Sequence, residues 1–160
     1  MPRSRKITKK ITPTDPVYNS RLVAKLINKT MHDGKKSVAS GQIYRALEIL
    51  KAKNPEADPS KTLEQALNTI APKMEVRPRR VGGASYQVPI EVRGDRKTHL
   101  AMKWLLEAAR SRSNKEFHTF AEKLAVEVQD AINGVGSAIK KRDTIHKMAE
   151  SNRAFAHLRW

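Results

Sequence analysis

Arginine is concentrated in residues 75–93, and the chemistry of this stretch is anion binding. Arg77, Arg79, Arg80 and Arg93 lie there, and each guanidinium offers a planar fork of N–H donors that fits a phosphate group. The whole chain carries 32 Lys and Arg against 16 Asp and Glu, a formal net charge of +16. Such an imbalance predicts a polyanionic partner, with nucleic acid the leading candidate and an anionic membrane surface the rival.

Most of the excess charge lies in three segments. Residues 1–10 hold five basic and no acidic side chains, residues 73–97 hold seven and three, and residues 139–160 hold six and two. Lys35 and Lys36 form a further pair beside the expected start of a helix, where backbone N–H groups are free to meet phosphate. The side chains that we predict to contact phosphates of the nucleic acid are Arg3, Arg5, Lys6, Lys9, Lys10, Lys35, Lys36, Arg77, Arg79, Arg80, Arg93, Arg96, Lys97, Lys140, Lys141, Arg142, Lys147 and Arg153.

Other chemistry finds little support in the sequence. The run Gly34-Lys35-Lys36-Ser37 ends like a phosphate-binding loop, but the glycine required five positions earlier is Lys29. Cysteine is absent and the five histidines show no metal-ligand spacing. No nucleophile triad or carboxylate pair stands out. We therefore expect no enzyme activity, cofactor, metal or small-molecule substrate.

The membrane alternative is also weak. No apolar run approaches the ~18 residues of a spanning helix, and the N-terminus lacks the apolar core of a signal peptide. We expect a cytoplasmic protein, or one in the equivalent compartment of an organelle.

The arginine-rich stretch must be positioned by a hairpin. Tyr86, Val88, Ile90 and Val92 recur at every second position, which is typical of a strand with one apolar face. Gly82-Gly83 supplies the turn, and Met74, Val76 and Pro78 form the corresponding apolar series before it. Because Pro78 and Pro89 cannot donate ladder hydrogen bonds, a place in the middle of a larger sheet is unfavourable. The pattern predicts a projecting two-stranded arm.

Helical periodicity accounts for most of the remaining chain. Apolar spacing, caps and breakers predict helices over residues 20–33, 36–53, 58–71, 95–112, 113–133 and 137–157. Ser113 and Glu116 are expected to form a capping box for the fifth. The expected fold is mainly α: a single bundle of about six helices with an inserted, protruding two-stranded β-hairpin and an extended basic N-terminal arm. We expect one RNA-binding domain over 1–160, with the arm at 1–15, the hairpin at 73–93 and a basic C-terminal helix at 137–160.

Two aromatic residues bear on the binding mode. Trp104 lies on the apolar face of the fourth helix and is predicted to be a core residue. Tyr86 on the hairpin is suited either to stack on a base or to pack on a neighbour. A helix-turn-helix DNA-binding protein stays open as an alternative to an RNA binder.

Several stretches together resemble a known family. They are Asp33-Gly34-Lys35-Lys36-Ser37, residues 75–93, Leu100-Ala101-Met102-Lys103-Trp104, Glu107-Ala108-Ala109-Arg110, Lys140-Lys141-Arg142 and Phe155-Ala156-His157-Leu158-Arg159-Trp160. In order and over nearly the whole chain they are similar to ribosomal protein seven of the small subunit, in its bacterial or organellar form.

The resemblance implies a definite role. Family members bind the 3′ major domain of small-subunit ribosomal RNA and nucleate assembly of the subunit head. Their hairpin reaches toward the exit-site tRNA and neighbouring proteins, numbers nine and eleven of the small subunit, and some members repress translation of their own messenger RNA. By this resemblance the hairpin tip, Val81, Gly82, Gly83 and Tyr86, is expected to contact tRNA or protein.

Overall fold

The chain forms a helical bundle with one β-hairpin. The computed structural model describes residues 12–158. The predicted cations Arg3, Arg5, Lys6, Lys9 and Lys10, and with them most of the predicted arm, lie outside the described residues. The described elements are α1 Arg21–Thr30, α2 Lys36–Lys53, α3 Pro59–Ile70, β1 Met74–Val81, β2 Ala84–Glu91, α4 Gly94–Ser111, α5 Phe120–Ile132, α6 Ser137–Ser151 and a C-terminal 3₁₀ helix Arg153–Leu158.

Helix α5 lies at the centre of the bundle because most of its faces are apolar or small. Ala121, Leu124, Ala125 and Val128 are all buried, and the helix packs against α2, α3, α4 and α6. Burial of apolar surface on this scale is the main stabilising contribution to such a fold. Trp104 is 4% exposed within the same core, which confirms its predicted place there.

The residues predicted to begin helices α1 and α3 do so in the structure. Ser20 caps α1 by accepting a hydrogen bond from the Val23 amide, and Asp58 caps α3 with Pro59 in the first turn. Helix α1 ends at Thr30, three residues before the predicted end. Asp33 and Gly34 then turn the chain with φ of 52° and 75°.

The predicted capping box was wrong. The box forms at Thr119 and Glu122, and α5 begins at Phe120. The earlier pair, at 113 and 116, belongs to a turn in which the Ser113 hydroxyl accepts from the Lys115 amide. Such local bonding by a serine side chain competes with helix formation.

The last helix also ends earlier than predicted. Helix α6 stops at Ser151, and residues Arg153–Leu158 form the 3₁₀ helix. Both Ser151 and Asn152 donate side-chain hydrogen bonds to the Met148 carbonyl, so a terminal acceptor is satisfied without another helical turn.

The two strands of the hairpin pair antiparallel, with Met74 opposite Glu91 and Val81 opposite Ala84. In this register Val76 faces Pro89 and Arg77 faces Val88. Since directly paired residues share a face of a sheet, the apolar series of β1 and the apolar series of β2 lie on opposite faces. The base of the hairpin therefore has two faces to cover, and α6 and the 3₁₀ helix pack against it.

Candidate nucleic-acid interface

The hairpin tip is open to solvent. Gly82 and Gly83 have φ of 56° and 91°, which glycine adopts at little cost, and a side chain added at either would meet no other atom within 4 Å. Arg80 beside them is exposed, and its guanidinium makes no hydrogen bond or ion pair with another described residue. The tip can therefore approach a partner by its backbone, with a guanidinium alongside.

At the base of the hairpin, the buried carboxylate of Glu75 joins two of the predicted cations. Its Oε1 accepts a hydrogen bond from Arg77 Nε at 2.5 Å, and its Oε2 accepts one from Arg96 Nε at 3.2 Å. Glu75 is 8% exposed, while the side chains of Arg77 and Arg96 are about half exposed. The carboxylate thus fixes two guanidinium groups, one on β1 and one on α4, at the surface.

Tyr86 has an aromatic neighbour in the same chain. Its ring lies 5.3 Å from that of Phe155, tilted by 48°, within the range of separations that aromatic pairs favour. Arg79, its partner across the ladder, is half-buried. The 3₁₀ helix therefore supports the outer part of β2. The contact of Tyr86 with tRNA or a neighbouring protein stays a prediction.

Helix α4 presents a polar stripe made of Arg96, His99, Lys103, Glu107 and Arg110, which is called the α4 stripe below. These positions are three or four residues apart, so they lie along one face of the helix. All but the half-buried Glu107 are exposed. The stripe is a surface feature that runs the length of α4.

Cations from other elements meet the α4 stripe. Lys29 Nζ lies 2.8 Å from His99 Nε2, and Lys141 of α6 pairs with Glu107, which Lys103 also approaches at 3.8 Å. Burial and the charge of Lys29 lower the pKa of His99. The hydrogen bond from Lys141 lowers the pKa of Glu107, so that carboxylate stays ionised. Side chains of α1, α4, α6 and, through Arg96, the hairpin are thereby linked on one surface.

Buried charge fixes the start of α6. Glu127 is 0% exposed; its Oε1 accepts from the Ala138 amide at 3.1 Å, and its Oε2 accepts from Arg112 Nε at 2.7 Å. Arg112 also pairs with Asp130. Gly136, the residue before α6, has φ of 105° and offers no side-chain cap. The carboxylate of α5 therefore takes the place of a capping residue and sets where α6 begins.

The three basic residues at the start of α6 differ in their surroundings. Lys140 is exposed and its side chain has no partner among residues 12–158, whereas Lys141 pairs with Glu107. Arg142 is half-buried: its Nη1 donates to the Thr69 carbonyl at 2.6 Å, near the end of α3, and its Nε donates to Asp143. A cation is favourable at a helix C-terminus. Arg142 consequently joins α6 to α3, whatever else it binds.

Helix α2 begins at Lys36, as predicted, but the amides of Lys35 and Lys36 donate to the His32 and Gly34 carbonyls and are not free. Both lysines are exposed, Lys35 provides no side-chain cap, and the first turn holds no acidic residue. Of the other predicted phosphate contacts, Arg93, Lys147 and Arg153 are exposed and Lys97 is half-buried.

Sequence reasoning missed three features that position this surface. Lys29, His99 and Lys103 were not selected, although the spacing of the α4 stripe was visible as a helical pattern. The Glu127–Arg112 pair and the anchor at Asp15 are long-range contacts without a local signal. Asp15 is 4% exposed and accepts from the Val17 and Tyr18 amides and from the Tyr44 hydroxyl, at 3.1, 3.1 and 2.7 Å.

The described residues contain neither a metal-binding cluster nor a membrane-spanning helix. Residues 12–158 contain no group of three or more His, Asp or Glu placed to hold a metal ion. None of the described helices is both long enough and apolar enough to span a membrane.

Comparison with known proteins adds the decisive observation. The family described as ribosomal protein S7p/S5e matches residues 2–153. The chain belongs to the ribosomal protein S7p/S5e family. It is similar to small ribosomal subunit protein uS7 of Caldicellulosiruptor bescii, at 54% identity over 160 residues and the full length of both chains. The same-named proteins of Carboxydothermus hydrogenoformans and Thermosipho africanus are 52% and 53% identical, over 100% and 99% of each chain.

Membership confirms the resemblance drawn from the sequence motifs. As an S7p/S5e protein the chain is a protein of the small ribosomal subunit, and its place in a bacterial cell is the cytoplasmic ribosome. The family is structural and non-enzymatic, so the expectation that the chain is not an enzyme is also confirmed.

Proposed function

We propose that the chain binds the 3′ major domain of small-subunit ribosomal RNA and, by holding RNA helices together, nucleates assembly of the subunit head. The observation that carries this proposal is the α4 stripe with the cations that meet it. Helix α1, helix α6 and the hairpin each place a side chain within hydrogen-bonding or ion-pair distance of a residue of the stripe. A surface built in this way suits the backbone of folded RNA, which proteins recognise mainly by its shape, its 2′-hydroxyls and its phosphates.

The whole chain acts as one RNA-binding domain in this proposal. Helix α6 packs on both the hairpin and α4, and the cations of all three bind phosphates. The predicted sites in the arm and at the start of α2 extend the contact to further RNA. Phosphate contacts of this kind fix orientation without reading much sequence.

The hairpin tip has a separate role in the proposal. Val81, Gly82 and Gly83, with Tyr86 behind them, contact the exit-site tRNA or the neighbouring proteins nine and eleven. The exposed glycine tip supports this, since its backbone is free of obstruction. Repression of translation through its own messenger RNA would use the same surface, because the phosphate chemistry is the same.

A pair of matched double variants tests the RNA contact. Arg80→Glu with Lys140→Glu reverses two exposed cations of the proposed interface. Lys51→Glu with Lys61→Glu makes the same change in net charge on exposed positions of α2 and α3. The assay is binding to a 3′ major domain transcript across a salt series, with duplex RNA and duplex DNA as competitors.

The salt dependence reports how many phosphates the protein neutralises, because log affinity falls with log salt by about one per phosphate. We expect this slope to be shallower by about two in the interface variant and to keep its parental value in the control variant. Equal weakening of both variants would mean that only net charge matters. Equal affinity of the parent for the transcript and duplex DNA would overturn the ribosomal RNA assignment in favour of a generic basic protein.

A further inference from the structure

A groove runs between the hairpin, α4 and α6, beside the α4 stripe. It has a volume of about 480 Å³, within the ~300–1,000 Å³ typical of small-molecule sites. Its lining includes Val76, Trp104, Ile145 and Met148, with Gln87 and Asn152 as polar members. We propose that this groove takes a single unpaired nucleobase of the bound RNA. This inference rests on the proposed function and names what one part of the interface recognises.

The apolar wall of the groove suits the face of a base. Trp104 and Leu100 are 4% and 8% exposed and form part of its lining. Met148 is 52% exposed, so a large part of its apolar side chain is open to a ligand in the groove. A base inserted here buries that exposed surface, and removal of apolar surface from water favours binding.

The polar groups of the groove suit the edge of a base. The Gln87 side chain makes no hydrogen bond among the described residues, and Asn152 uses only its Nδ2, which donates to the Met148 carbonyl at 2.8 Å. Two amide oxygens are therefore left to accept. The exocyclic amines of adenine, cytosine and guanine are donors that match them. An aliphatic side chain of a protein partner would offer no such donor.

The charges at one end of the groove suit the phosphates that flank a base. Glu75 lines that end, but both of its oxygens are engaged by Arg77 and Arg96. Arg96 donates only its Nε among the described contacts, so its terminal N–H groups remain to bind phosphate. Two guanidinium groups against one carboxylate leave a net positive charge at this end.

The base must be unpaired, because pairing engages the edge that the amides would meet. Sequence-specific contacts to RNA are made mainly at such unstacked bases in loops and junctions. The groove therefore adds a local preference for a single-stranded position to a surface that otherwise binds phosphates.

Trp104 provides a reporter inside the groove. The sequence has two tryptophans, so a Trp160→Phe background leaves Trp104 as the sole source of tryptophan emission. The probes are an RNA pentamer of adenosine and the same pentamer with an abasic centre, which carries the same phosphates. We expect the intact pentamer to quench Trp104 and to bind roughly 5- to 100-fold more tightly than the abasic one.

Two variants separate the groove from the rest of the surface. Gln87→Ala with Met148→Ala removes a polar and an apolar contact, both at exposed positions where folding is little affected. We expect the preference for the intact pentamer to disappear while affinity for the abasic pentamer stays unchanged. Gln65→Ala, at an exposed position of α3, is the control and keeps the preference.

Equal binding of the two pentamers by the parent, or a preference that survives in the groove variant, would overturn the inference. Quenching by N-acetyl-leucinamide but not by adenosine would also overturn it, by assigning the groove to an apolar side chain of a protein partner. These outcomes leave the proposed function intact if the transcript still binds with its salt slope. Loss of selective transcript binding would instead refute the proposed function itself.

Discussion

Removal of the buried carboxylate of Glu127 tests whether α6 is held by charge. Glu127 is completely buried, and its two oxygens serve Arg112 and the Ala138 amide. Glu127→Ala leaves the Arg112 guanidinium, 20% exposed, with only the half-exposed Asp130. Breaking a buried pair from one side costs about 3–5 kcal/mol. Loss of the acceptor at the start of α6 adds about 1 kcal/mol.

We therefore expect Glu127→Ala to lower the free energy of unfolding by about 4–6 kcal/mol, a large share of the ~5–15 kcal/mol of a typical domain. In a chain of 160 residues this corresponds to a fall in Tm of roughly 8–24 °C, at ~2–4 °C per kcal/mol. Urea unfolding followed by circular dichroism gives the free energy, with unfolding of the parent as reference.

Two companion variants make the test specific. Glu64→Ala, at an exposed position of α3, should stay within about 0.5 kcal/mol of the parent. The double variant Glu127→Leu with Arg112→Met should be more stable than Glu127→Ala, because it removes the mostly buried guanidinium and the carboxylate that loses its partner, Asp130, is partly exposed to solvent. A loss below about 1 kcal/mol in Glu127→Ala would refute the reasoning, since it would show that the carboxylate is not needed where it lies.

Three further predictions concern individual contacts. Gly136→Ala should lower the free energy of unfolding by about 1–3 kcal/mol, because φ of Gly136 is 105° and the new Cβ would lie 2.9 Å from Glu127 Oε1. An unchanged midpoint of urea unfolding would contradict the prediction. Tyr44→Phe should lower the free energy of unfolding by about 1–2 kcal/mol, because the hydrogen bond to Asp15 is lost. That hydrogen bond raises the pKa of Tyr44 to about 12, so the variant should also lack a late phase in the alkaline absorbance titration. The contribution of the hydrogen bond to stability is complete below pH ~10 and is lost as the pH rises toward 12. Burial lowers the pKa of His146. The unfolded chain therefore binds the proton first, and stability falls as the pH drops below ~6.5. His146→Gln should make stability less dependent on pH in this range, and an unchanged pH profile of stability would contradict the prediction.

Local signals explain why most helices were predictable. Asp58 followed by Pro59 indicated the start of α3, and the chain indeed begins its helix there. The fifth helix shows the limit of such signals, because residues 113–116 and 119–122 both fit the pattern of a capping box. What decides between them is the buried face of α5 from Ala121 onward, and burial depends on the rest of the bundle.

The candidate site was predictable in composition but not in arrangement. The cations of the hairpin and of α6 are evident from the sequence, and the structure leaves Arg80 and Lys140 exposed as expected. The carboxylates that hold other cations were not predictable. Glu75 meets a residue 21 positions away and Glu107 one 34 positions away, and nothing in a single sequence specifies such pairs before the fold is known.

The carboxylates within this basic surface hold its cations in place. Glu75 holds cations of β1 and α4, and Glu107 holds Lys103 of α4 and Lys141 of α6. The exposed ion pairs of Glu107 contribute only about 0–1 kcal/mol to folding. Glu75 and Glu107 each also offset a positive charge that would attract RNA. The carboxylates matter because they fix the positions of the cations. A side chain that is already ordered avoids about 0.5–1.5 kcal/mol of entropy cost when it binds, and cations held at fixed spacing favour an RNA whose phosphates match that spacing over any other polyanion.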